Sequence, residues 1–288
     1  MKAVGGQAVI EGVMMRFGNR IAVAVRKGKK IIVKKQKIKS ITERKPWSFP
    51  IIRGAVGLFE TLGVGIKTLN WSANIAAGEE GEKQSAWPFV TAIILATVFA
   101  LVIFKLIPLG IAQFFSKLGL DGRFSFNLVE GLAKISILVA YIWAIGKMKD
   151  VKVLFRYHGA EHKAVNCYEA KKSLTVANAM KFSPIHPRCG TSFILFVLLI
   201  SIIVYIFVPM NFGFGLKYLL RIALLPLIAG IAYEFLKFSA KHQGNIVIKA
   251  LMKPGLALQG LTTAEPNEKQ MEVAIRALKE VTRKPRFL

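Results

Sequence analysis

Phe193-Ile194-Leu195-Phe196-Val197-Leu198-Leu199-Ile200-Ser201-Ile202-Ile203-Val204-Tyr205-Ile206-Phe207-Val208-Pro209-Met210 runs eighteen residues without a charged side chain. As a helix this stretch extends ~27 Å, close to the ~30 Å of bilayer hydrocarbon. Three further long, mainly apolar runs span Ala86 to Phe104, Leu128 to Gly146 and Leu216 to Phe238. With a hydrophobic fraction of 53% and a mean hydropathy of +0.46, the chain is expected to be an integral membrane protein, mainly α, with four transmembrane helices. The first run starts at residue 86 and no short apolar leader precedes it, so a cleavable signal peptide is not expected.

The formal net charge is +25. In a soluble chain this points to nucleic acid; between apolar runs it is chiefly a topology signal. Lys and Arg concentrate in residues 1–86, 147–191 and 239–288, while the connectors 109–127 and 209–217 carry only Lys117, Arg123 and Lys217. The positive-inside rule therefore puts the three basic segments and both termini in the cytoplasm of a bacterial inner-membrane protein. Both cysteines, Cys167 and Cys189, then face a reducing compartment, which argues against a disulfide.

Six segments follow. Residues 1–49 form a small β-rich cytoplasmic module, with Gln-Ala-Val-Ile, Ile-Ala-Val-Ala-Val and Lys-Lys-Ile-Ile-Val as short strands between Gly-Asn and Lys-Gly turns. Its eight basic residues from Arg26 to Lys39 suit anionic headgroups or RNA, and equally a lysine-guarded sheet edge. Residues 50–85 hold an interfacial or re-entrant helix and a linker. That helix is apolar except for a seam of Arg53, Glu60, Lys67 and Asn74, and is expected to pack on the bundle through Gly54, Gly57, Gly63 and Gly65. Residues 86–146 are the first transmembrane hairpin, 147–191 a cytoplasmic loop, 192–238 the second hairpin, and 239–288 a cytoplasmic helical tail with Gly260 to Pro266 as a polar turn. Lys105, Glu130, Lys134 and Arg221 are expected to snorkel at the outer ends of the spans, with Glu130 and Lys134 paired at helical spacing.

His158-Gly159-Ala160-Glu161-His162 fits the inverted zinc-protease pattern H-x-x-E-H. Residues four apart share a helix face, so both imidazoles can approach one cation with Glu161 beside them as general base for a water. The topology brings His186, Cys189, Glu234 and His242 to the same end of the bundle. A divalent transition metal, zinc first, needs a third ligand: Glu234 by the inverted-protease logic, or His186 or Cys189 from loop and helix terminus. His186 or His242 is the candidate acid, and Arg156 or Arg188 the candidate anion holder. Gln7, Glu11 and Arg16, in the phrase Gly5 to Arg16, are expected either to line the site or to form a tight turn with an internal Glu–Arg pair. The polar residues also suit a purely structural network, and His158, His162, His186 and Cys189 together would make a closed structural metal site.

The phrases Gly5 to Arg16, Tyr157 to Glu169, His186 to Ser192 and Lys253-Pro254-Gly255-Leu256 through Pro266 resemble the YqhQ family of bacterial membrane proteins. The resemblance covers nearly the whole chain. It implies a membrane protein carrying a domain of unknown function, described as a metal-dependent enzyme on the strength of the histidine motif.

No nucleotide cradle or redox motif is present. The expected function is a metal-dependent hydrolase acting on a membrane-embedded or lipid-linked substrate. The competing reading is a non-catalytic anchor that recruits an anionic or ribonucleoprotein partner through its basic face. A transporter fits less well, because few charges lie deep in the spans and no internal repeat is evident.

Overall fold

A computed structural model describes residues 4–78, 87–242 and 244–283, with residues 88 and 89 described by backbone only. The linker up to residue 85 and the start of the first apolar run at Ala86 lie outside the described residues. The chain is mostly helical, with one small antiparallel sheet.

The sheet is the meander expected from the N-terminal pattern: β1 (Val4–Val9), β2 (Gly12–Phe17), β3 (Arg20–Lys27) and β4 (Lys30–Lys37) pair in chain order. Its tight turns place Gly18 and Gly28 at positive φ, where a side chain would be strained. The run Ile21 to Val25 is buried throughout rather than alternately, because both faces of the sheet are covered. Helix α1 (Ile52–Ala77) lies on one face, where Ile75 joins Val9, Met14, Ile21, Val23 and Val25. On the other face, α5 (Lys149–Glu169) and α11 (Glu268–Thr282) enclose Val13, Met15, Ala22 and Ala24 with Ala160, Ala164, Met271 and Leu278. Helix α11 follows the Met271, Val273, Ile275 and Leu278 pattern, and starts at a capping box in which Asn267 and Gln270 exchange bonds of 2.9 and 3.0 Å. Asn267→Ala is expected to cost about 1 kcal/mol. An unchanged urea midpoint would refute that.

The apolar runs become helices with shifted ends. Helix α2 (Trp87–Leu101) continues through a π-helical turn, Val102–Leu106, into α3 (Ile107–Lys117), so the expected connector from 109 is helical to residue 117. Then come α4 (Arg123–Ile145), the short α6 (Val176–Ala179), α7 (Gly190–Tyr205), and the pair α8 (Phe214–Ala223) and α9 (Leu225–Lys241), which meet at 42°. Among the described residues two helices, Val90–Lys117 and Arg123–Ile145, are long and apolar enough to cross a bilayer; the bent pair makes three if it is one span. Helix α7 is apolar but only 16 residues long. None of the most apolar stretch of Val90–Lys117 is buried against protein, so that surface is suited to lipid.

Two expectations are corrected. Lys105, Glu130, Lys134 and Arg221 do not snorkel: they are 9%, 1%, 1% and 2% exposed and face one another. Glu130 does pair with Lys134 at 2.5 Å, and also accepts from Arg221 at 2.8 Å, while Lys105 donates to the Tyr205 hydroxyl at 2.9 Å. Within the segment 147–191, the H-x-x-E-H motif lies on the 21-residue helix α5, as its spacing requires. The tail contains an apolar helix, α10 (Ile246–Thr262), which reaches into the supposed polar turn. Its buried positions Ile248, Met252, Gly255, Gln259 and Thr262 recur every three or four residues and pack on α7, a pattern visible in the sequence.

Helix α1 straddles sheet and bundle. At Gly54 it meets α9 so closely that a Cβ would lie 2.9 Å from the Tyr233 side chain and 3.0 Å from Gly230 Cα. At Gly65 it touches Gln7, whose amide donates to the Gly65 carbonyl at 3.2 Å. Gly57 has ordinary contact with Thr42, and a Cβ on Gly63 would meet no described atom within 4 Å, so of the four glycines only Gly54 makes the expected close contact with the bundle, while Gly65 packs on the sheet. The polar seam is used: Arg53 grips Glu234, and Glu60 accepts from Arg16 at 2.9 Å and from Ser40 at 2.8 Å.

Candidate functional site

Helix α5 brings His158 and His162 onto one face, their ring centroids 4.4 Å apart. Cys189, the N-cap of α7, comes to the same point, with its sulfur 3.3 Å from His158 Nε2. One ligand atom each from His158, His162 and Cys189 lies within 4.8 Å of the others. Both histidines are oriented by carbonyls: His158 Nδ1 is 2.8 Å from Thr262 O, and His162 Nδ1 is 2.6 Å from Pro184 O. A carbonyl only accepts, so in each neutral ring Nδ1 carries the proton and Nε2 presents its lone pair inward. Ligand atoms on a tetrahedral zinc lie ~3.5 Å apart, so the His158–Cys189 spacing fits such an ion.

Glu161 sits beside them, 4% exposed, its Oε2 3.4 Å from His162 Nε2. Burial pushes its carboxyl well above the ordinary range, against the opposing pull of His158, His186 and Arg188. The backbone of β1 lies over it: a Cβ on Gly6 would come within 2.9 Å of the Glu161 side chain. That contact gives the double glycine a role that composition alone could not assign.

His186 is buried near the pair, its ring centroid 5.8 Å from that of His162. Its nitrogens are engaged elsewhere. Nδ1 accepts from the Arg188 backbone N–H at 3.3 Å, and Nε2 lies 3.3 Å from Glu169. Glu169 is also bonded to Arg188, and these two partners, His186 first, hold its carboxyl below the usual range. Sequence reasoning passes over Gln259, which fixes this corner: its amide accepts from His186 N at 2.9 Å and donates to His186 O at 2.9 Å and to Ser192 Oγ at 2.8 Å. A glutamine in register with Ile248, Met252 and Gly255, on the face of α10 away from Lys249 and Lys253, is the signal for it.

The other candidates lie apart. Glu234 accepts two bonds from Arg53, at 2.7 and 2.5 Å, and stands outside the three-residue group. His242 is exposed and turned to the Phe238 carbonyl at 2.9 Å. Arg156 is exposed. Gln7 lines the site cavity, whereas Glu11 accepts from Tyr157 at 3.2 Å and Arg16 pairs with Glu60, so the internal Glu–Arg pair does not form.

Below the imidazoles lies a cavity of about 810 Å³, bounded by α1, α5, α7, α9 and β1. His158, Glu161, His162, His186 and Cys189 line it together with Gln7, Arg188 and Thr191, and most of the remaining lining is apolar.

Residues 49–284 match the family described as "Protein of unknown function (DUF1385)". The chain is 34% identical, over 98% of its own length and 92% of the relative's, to the "Uncharacterized protein YqhQ" of Bacillus subtilis (strain 168). No solved structure matches. Shared DUF1385 residues and near full-length similarity to YqhQ show that the chain belongs to the YqhQ family.

Proposed function

We propose that this protein is a metal-dependent hydrolase of the bacterial inner membrane, with four spans, both termini in the cytoplasm, and its site at the cytoplasmic interface. The carrying observation is the group of His158, His162 and Cys189, with both imidazoles oriented by carbonyls and a buried carboxylate alongside. A divalent transition metal, zinc first, would supply Lewis-acid polarisation there. Glu161 takes the proton of an attacking water, a task suited to a carboxylate whose proton affinity burial has raised. Glu161 then returns that proton to the departing atom, while His186, its ring held by Glu169 and Arg188, serves to position this end of the cavity rather than as the acid. Since both His186 nitrogens are already engaged, His158, His162 and Cys189 are the residues that would hold the ion, and the cavity they line would leave room for a water, which supports catalysis over a closed structural site.

The test is elemental analysis of untagged protein purified in mild detergent. Near-stoichiometric zinc or another transition metal is expected in the wild type, and less than a tenth of it in His158→Ala/His162→Ala. A well-folded wild type that neither holds nor takes up metal would leave the basic face as the better account. On that face Lys29, Lys30, Lys34, Lys35, Lys37 and Lys39 are exposed along and beside the edge strand β4, placed to recruit an anionic partner.

A further inference from the structure

We infer that the substrate of this site is a lipid amphiphile, whose apolar chain fills the cavity between α1, α7 and α9 while its polar end lies against His158, Glu161 and Cys189. The inference deepens the hydrolase reading and rests on it for the chemistry, but the binding argument stands on the cavity alone. From Cys189 the cavity wall follows α7 through Phe193 and Val197 to Leu198, nine residues on, or ~13 Å along the helix. The opposite wall is Ala55 and Leu58 of α1 and Ala229 of α9. A polar, proton-handling end joined to a long apolar sleeve is the shape of a headgroup and its chain.

Size decides between the two kinds of molecule a bilayer offers. A 20-residue transmembrane helix is ~10 Å across and ~30 Å long, more than twice the ~13 Å of α7 that lines the cavity. The cavity holds about 810 Å³, within the ~300–1,000 Å³ of small-molecule sites. An acyl chain fits where a helix does not. Access is lateral: Phe59 and Leu62 of α1 and Ile194 of α7 line the cavity yet are 65%, 51% and 47% exposed. Large apolar side chains left exposed at the rim of a cavity mark an opening toward an apolar phase. Gly54 and Gly230, packed backbone to backbone, fix the spacing of α1 and α9 beside Ala55 and Ala229.

Palmitate carrying a photoreactive diazirine at the chain end, added to full-length protein in maltoside micelles, provides the probe. After illumination and peptide mapping, label is expected at residues 193–198 and 225–229, at least fivefold above that on the protein-free face of α2. Ala229→Trp, and separately the less buried Ala55→Trp, should each lower the cavity label at least fivefold while leaving that on α2 unchanged. Label spread evenly over α2, α4 and α7, indifference to both variants, or displacement by a single-span leucine-rich peptide where oleate fails to displace it, would overturn the inference. The labelled wall lies away from the imidazoles, so His158→Ala/His162→Ala should still be labelled. A metal-free wild type with cavity label would sink the hydrolase reading alone; a metal-loaded protein without it would sink this inference alone.

Discussion

Glu130→Gln is expected to lower the stability of the detergent-solubilised protein by about 3–5 kcal/mol, equivalent to a fall in Tm of about 10 °C. Glu130 is the carboxylate that holds Lys134 at 2.5 Å and Arg221 at 2.8 Å, with all three side chains nearly inaccessible. Arg221 further donates to Asn127 Oδ1 at 2.9 Å, while its Nη1 is buried with no hydrogen-bond partner among the described residues. Lys105, Lys134 and Arg221 also surround the ring of Tyr205 at 5.3, 4.6 and 4.9 Å. Removing one negative charge leaves buried cations that neither water nor lipid can solvate. Lys105→Met should behave oppositely. It deletes one hydrogen bond to Tyr205 but relieves an excess of positive charge, so its effect is expected to stay within about 1 kcal/mol of wild type. Equal losses from the two variants would show that the ionic cluster is not what holds these helices together.

Gly159→Ala should reduce metal retention about tenfold or more and destabilise the protein by about 1–3 kcal/mol. Helix propensity alone gives the opposite sign, since alanine is favoured over glycine by about 1 kcal/mol in a helix interior. Packing wins here, because a Cβ at this position would overlap the Ala264 carbonyl oxygen. The segment after α10 crosses α5 at that point: Ala264 N donates to Phe155 O at 3.0 Å, Thr262 O orients His158, and Glu265 reaches Lys163 at 2.8 Å. Pushing it away frees the His158 ring. Metal content and thermal unfolding of Gly159→Ala, read beside His158→Ala, check both halves; a variant more stable than wild type with full metal content would refute the close contact.

Much of the framework was legible because it is local. The meander followed from short β-branched runs between glycine turns, and α11 from its apolar spacing. His158 and His162 could be placed on one face from four-residue spacing alone. Cys189 could be put at the start of an apolar helix, and there it caps α7. Helix α10 was equally legible from its heptad-like pattern, although it carries Pro254 and Gly255 within it and the polar turn was expected to start at Gly260, inside its last turn.

What stayed hidden depends on how distant segments meet. Glu234 is as good a carboxylate ligand as any on paper; Arg53, 181 residues away in sequence, engages both its oxygens. The groups that orient the imidazoles are the backbone carbonyls of Thr262 and Pro184, which have no residue-type signature. Whether Arg221 snorkels or is buried turns on the approach of α8 to α4, where Glu130 and Asn127 take its guanidinium, and no periodicity records that approach. By itself the sequence determined the helices, the meander and the shared face of the histidine pair, because propensity and spacing act within a few residues. Only the tertiary structure decided that Cys189 rather than Glu234 joins that pair, that the charges in the apolar helices face one another, and that a cavity opens beside the site. Those outcomes depend on the angles and depths at which helices pack, and these are set by contacts across the whole chain.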